Sequence, residues 1–185
     1  SFPTRRSSDL RLTGVSGKLF WIFIIEAVLC SVSDLITCVL IEQRNPAYNS
    51  WVIVFTTVLY ALQILVPYTF YGLTQILRYC DQRIKVRNIK LALIPVIITE
   101  ILVIANIFFG QFFYCNAQGE YLYGPWYLGI YIHTMFFVAL AMWNFVFHGD
   151  EYGENELHAV WEFVLIGFTC TAIEARSEEH TSELQ

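Results

Sequence analysis

Long apolar runs recur along this chain, separated by short polar connections. A bilayer core takes about 20 apolar residues per helix, and five runs meet that length: residues 18–41, 51–77, 90–109, 126–147 and 157–175. Hydrophobic residues make up 56% of the sequence and the mean hydropathy is +0.51, beyond the range of soluble globular domains. The spacing predicts an all-α fold, a polytopic transmembrane helix bundle. Its predicted surroundings are a lipid bilayer.

The two ends read differently. Ser1–Leu10 and Arg176–Gln185 look like in-frame translations of paired sequencing-adapter ends, and such scars are set aside in fold reasoning. The natural segment is then 11–175, read as a fragment. Within it eight cations stand against twelve acids, a net charge of −4, which argues against nucleic acid as a partner.

Five of the eight cations, Arg78, Arg83, Lys85, Arg87 and Lys90, fall in one short stretch with a single acid, Asp81. Short Lys- and Arg-rich loops stay in the cytoplasm. This stretch therefore sets the topology: 78–90 cytoplasmic and 110–125 extracellular, in a multi-pass protein of the cell membrane. Arg11 and Lys18 join the inner side, which leaves Arg44 alone outside.

The segment Gly110–Pro125, GQFFYCNAQGEYLYGP, predicts a short external β-hairpin. Phe112–Cys115 and Glu120–Tyr123 are aromatic, β-favouring runs, and Asn116–Gly119 is a four-residue turn ending in Gly. Gly124-Pro125 closes the strand and opens the next helix.

Polar residues inside the apolar runs fall on single helical faces. Glu26, Cys30, Ser33, Asp34 and Thr37 share one; Thr56, Tyr60, Gln63, Pro67 and Thr74 another; His133, Phe137, Leu140 and Asn144 a third. Thr99 aligns with Asn106, Glu100 lies one 100° step from Thr99, and Glu162 aligns with Thr169. Intramembrane charges cost about 2.5–3.5 kcal/mol each on insertion scales and normally face protein or water, so a polar bundle interior is expected. By depth, Asp34, Asn106 and His133 are expected to converge beneath the hairpin. With Tyr121 and Tyr123 they form a candidate outward-facing pocket for a small molecule. Glu26, Gln63, Glu100, Asn144 and Glu162 lie deeper or nearer the inner side. The same residues serve equally as interhelical hydrogen-bond partners. No His-x₂₋₃-His pair or cysteine spacing points to a metal, no nucleophile motif is present, and no cofactor is implied.

The block GQFFYCNAQGEYLYGPWYLGIYI, preceded by LALIPVII and NIFFG, resembles the amino-terminal seven-helix sensor region of bacterial signalling proteins. These are mainly diguanylate cyclases with a GGDEF domain, and related histidine kinases. Asn106, Phe109, Gly110, Tyr114, Gly119, Tyr121, Gly124 and Pro125 match the family pattern; Ile107 stands where the family often has Pro. The resemblance spans most of 11–175. It implies further helices on either side and a cytoplasmic output domain, through which a homodimer would form. The fragment itself carries no catalytic motif. A secondary transporter with an Asp/Glu/His site is the alternative reading.

Overall fold

The computed structural model describes residues 15–78, 82–151 and 161. Four long helices account for most of them: α1 (Val15–Glu42), α2 (Asn49–Leu77), α3 (Gln82–Phe109) and α4 (Leu128–Phe147). All four are long and apolar enough to cross a membrane. The predicted fifth helix, 157–175, and both predicted scars lie outside the described residues, apart from helical Trp161.

Three of the four helices match their apolar runs to within a few residues at each end. α3 differs, because it starts at Gln82 rather than Lys90. Most of the predicted basic loop is thus the opening of a helix. Arg and Lys are good helix formers with no need of burial, so a hydropathy boundary does not mark a helix boundary here.

The helix α2, about 43 Å long at 1.5 Å per residue, packs against α1, α3 and α4. On one side Tyr60, Ile64 and Tyr71 of α2 meet Val96 and Val103 of α3 and Ile130 and Phe137 of α4. On the other, Phe70 meets Phe23 of α1 and Ala141 and Phe145 of α4. Residues 69–75 of α2 are all buried, so about two turns of the helix are covered on every side.

The hairpin forms in the predicted place. Strands β1 (Phe113–Cys115) and β2 (Tyr121–Tyr123) pair antiparallel, with Phe113 opposite Tyr123 and Cys115 opposite Tyr121. Asn116 organises the turn: its Oδ1 accepts from the N–H of Gln118 (3.0 Å) and of Glu120 (2.9 Å). Its Nδ2 donates to Glu120 Oε2 at 2.7 Å. Gly119 has φ +83°, and a Cβ there would meet the backbone of Arg44–Pro46 at 2.9 Å. The hairpin tip therefore rests on the α1–α2 connection, where Asn49 Nδ2 also donates to the Asn116 carbonyl at 2.9 Å.

Asn106 joins hairpin to bundle. From the last turn of α3 its Nδ2 donates to the Phe113 carbonyl at 2.9 Å, and its Oδ1 accepts from the Phe112 N–H at 2.7 Å. A backbone polar group left unpaired in a buried place costs about 1–3 kcal/mol, and this one side chain serves two. Asn106→Leu is therefore expected to lower unfolding stability in detergent micelles by about 1–3 kcal/mol for each group orphaned. Ile107→Leu, at a partly exposed neighbour, should stay within about 0.5 kcal/mol.

Candidate functional site at the hairpin end of the bundle

Aromatic rings from the hairpin, α2 and α4 run together. Phe113 and Tyr121 stack across the strands at 5.9 Å, and Phe113 meets the Tyr60 ring of α2 edge-on at 5.3 Å. The series continues through Tyr121–Tyr123 (5.2 Å), Tyr123–Tyr127 (4.9 Å) and Tyr127–Tyr131 (6.2 Å) onto α4. The Tyr60 and Tyr121 hydroxyls share a hydrogen bond of 3.0 Å. Offset and edge-on pairs of this kind add about 0.5–1.5 kcal/mol each beyond area burial. Alternation along β2 explains the arrangement: Tyr121 and Tyr123 lie on one face, Leu122 on the other.

His133 is buried on α4, its Nδ1 3.1 Å from the Thr99 hydroxyl of α3. Thr99 in turn donates to the Pro95 carbonyl at 2.9 Å. This is the back-bond to the carbonyl four residues earlier that a threonine inside a helix commonly makes. The residue after His133, Thr134, donates to the Gln63 carbonyl of α2 at 3.4 Å.

The proposed pocket residues thus divide. Asn106 and Tyr121 belong to the hairpin attachment, Tyr123 to the aromatic series and His133 to the α3–α4 contact. Asp34, expected in the interior, is exposed on α1. The buried line there runs through Ser33 and Thr37, and Asp34, one 100° step from Ser33, stands at its edge. Its described contact is with Cys38 Sγ at 4.0 Å, within its own helix. Gln63, Glu26 and Glu100 are half-buried. Glu162 lies outside the described residues. Among the described residues no three His, Cys, Asp or Glu side chains come together as a metal site would require.

A second polar group lies at the opposite end. Arg78, read from sequence only as a topology-setting charge, is buried, and its Nη1 donates to Asn144 Oδ1 of α4 at 3.1 Å. Asn144 Nδ2 donates to Thr74 Oγ1 at 3.4 Å, and Thr74 to the Tyr71 carbonyl at 2.7 Å. Asn88 of α3 donates to buried Gln75 at 3.4 Å, and Lys85 Nζ to the Ile76 carbonyl at 3.0 Å. The polar face Thr74, Asn144 was legible as a helical stripe. Nothing in the sequence separates Arg78 from its four neighbouring cations, because the distinction lies in where α2 ends.

No protein-family model matches the chain, and no characterised protein or solved structure is similar to it.

Burial, reinforced by the neighbouring phenols, pushes the Tyr121 hydroxyl well above the ordinary tyrosine range. Burial also raises the Cys115 thiol. A folded pKa above the unfolded value near 10 means that the Tyr121 contribution to stability is intact below about pH 10 and is lost as pH rises further. Unfolding followed by fluorescence from pH 7 to 11 should show the protein weakening above about pH 10. Tyr121→Phe should reduce that dependence while leaving the neutral-pH packing of the ring in place.

Proposed function

We propose that this chain is the membrane-embedded sensory input region of a bacterial signal-transduction protein, governing a cytoplasmic diguanylate cyclase or histidine kinase domain. The observation that carries the reading is the position of α2. The first half of this helix holds the hairpin through Asn49–Asn116 and Tyr60–Tyr121, and its far end runs into the buried Arg78–Asn144–Thr74 network. A signal that favours one hairpin arrangement then has a continuous packed element through which to bias the other end. The exposed apolar faces support the membrane setting: Leu35 is 66%, Phe108 83% and Ile132 69% exposed, more apolar surface than a water-facing bundle tolerates. In this reading the hairpin faces the exterior and the Arg78–Lys90 stretch the cytoplasm.

A transporter is the second reading. It is favoured by buried carboxylate and imidazole atoms without a hydrogen-bond partner, Glu26 Oε2, Glu100 Oε1 and His133 Nε2, the kind of groups that mark proton or substrate paths in membranes.

Two measurements decide between them. The natural reading frame past residue 175, expressed whole, should encode a GGDEF or kinase domain, and Asn144→Leu should shift its cyclic di-GMP synthesis or phosphotransfer by several-fold at equal membrane abundance. A frame that runs on into further helices and a stop, with no output domain, overturns the sensor reading. In intact cells a membrane-impermeant thiol reagent should reach Cys115 and spare Cys80, the reverse pattern overturning the sidedness. Labelling of Cys115 should be slow at neutral pH and quicken as pH rises, since the raised thiol pKa keeps the thiolate scarce.

A further inference from the structure

The cations of α3 divide between two faces. Lys85 turns towards α2, where it donates to the Ile76 carbonyl. Arg83, Arg87 and Lys90, at i, i+4 and i+7, share the opposite face and are exposed. They line a groove of about 630 Å³ whose other walls are Val86, Leu91 and Ile94. The positive charge lies at one end of the groove and the apolar surface at the other, with Leu91 58% and Ile94 55% exposed.

Depth gives this pattern a meaning. Twenty residues, the number that crosses a core about 30 Å thick, reach from Phe109 back to Lys90. Leu91 and Ile94 then lie in hydrocarbon and Lys90 at its boundary. Arg87 is about 5 Å further out by helical rise, within a headgroup layer about 5–7 Å thick, and Arg83 is one turn beyond. The Lys90 stem points back towards the helix N-terminus, which carries its ammonium to the same layer. Arg87 and Lys90 match an anionic phosphate, Arg83 adds positive charge beyond it, and an acyl chain attached to that phosphate would run along Leu91 and Ile94.

We propose that this groove binds an anionic glycerophospholipid, its phosphate held by Arg87 and Lys90 with Arg83 adding positive charge further out, and an acyl chain lying on Leu91 and Ile94. The proposal rests on the membrane reading above. The site ties lipid charge to the helix whose other face holds α2 through Lys85 and Asn88, next to the Arg78 network. The lipid composition of one leaflet thereby enters the same element that the hairpin engages.

The test uses the full chain in detergent micelles, with dioleoylphosphatidylglycerol and dioleoylphosphatidylcholine added and bound lipid counted by native mass spectrometry. At roughly five-fold per cation near the lipid surface, the anionic lipid should bind roughly 100-fold more tightly. Arg87→Gln alone should weaken it roughly five-fold, and joint replacement of Arg83, Arg87 and Lys90 by Gln should remove the preference. Lys18→Gln, an exposed cation of α1, should leave it unchanged. An equal loss with Lys18→Gln would mean diffuse surface attraction and would overturn the site. Displacement of the lipid by inorganic phosphate at matched ionic strength would also overturn it, by showing a free-anion site. Flotation with neutral phosphatidylcholine vesicles separates the two readings. A chain that floats but shows no anionic preference loses the groove proposal alone, whereas one that fails to float loses both.

Discussion

Most polar side chains within the apolar stretches of the described helices are hidden against another helix, and α2 is where most of that hiding is done. Its faces present Thr56, Tyr60, Gln63, Thr74 and Gln75 to three neighbours. An unpartnered hydroxyl or amide in an apolar setting costs roughly 1–3 kcal/mol, so each such contact restricts where the neighbour can sit. Interhelical bonds such as Thr99–His133, Thr134–Gln63 and Asn144–Thr74 are individually small, on the order of 0.6 kcal/mol in membrane settings. Their effect is to fix rotation and register. The bulk of the attraction comes from the aromatic and aliphatic contacts between them.

The hairpin extends this logic past the helix ends. A two-stranded hairpin alone is marginal in water, and this one is only three residues per strand. It persists because Asn106, Tyr60 and Asn49 hold it from α3 and α2, and because its tip lies on the α1–α2 connection. A close approach at its base completes the attachment: Gly124 donates to the Phe112 carbonyl at 2.8 Å, and a Cβ on Gly124 would run into the Gln111 carbonyl. The hairpin thus ties α2, α3 and the α1–α2 connection together at one end of the bundle.

The basic end shows how one run of like charges can be given separate tasks by geometry. Arg78 closes α2 by bonding α4, Lys85 braces α3 on α2, and Arg83, Arg87 and Lys90 face outward together. A guanidinium can be buried where a planar amide accepts its hydrogen bond, and Asn144 supplies one. The outward face of these cations is open to the headgroup layer in the membrane reading.

The sequence by itself determined four of its five expected helices, the fifth lying outside the described residues, together with the place of the hairpin and most of the inward polar faces, Asp34 excepted. These follow from run length, period and turn chemistry, all local properties that a single strand of chain carries. The buried Ser33 and Thr37, Thr56 and Tyr60, and His133 and Asn144 were legible as stripes for that reason. Tertiary structure decided which stripes meet. It paired His133 with Thr99 rather than with Asp34, turned Asn106 into a backbone clamp, buried Arg78 and left Arg87 outside. Those outcomes depend on the rotation and axial offset of one helix against another. Periodicity leaves both free, and they are settled only when side chains from distant parts of the chain pack into the same space.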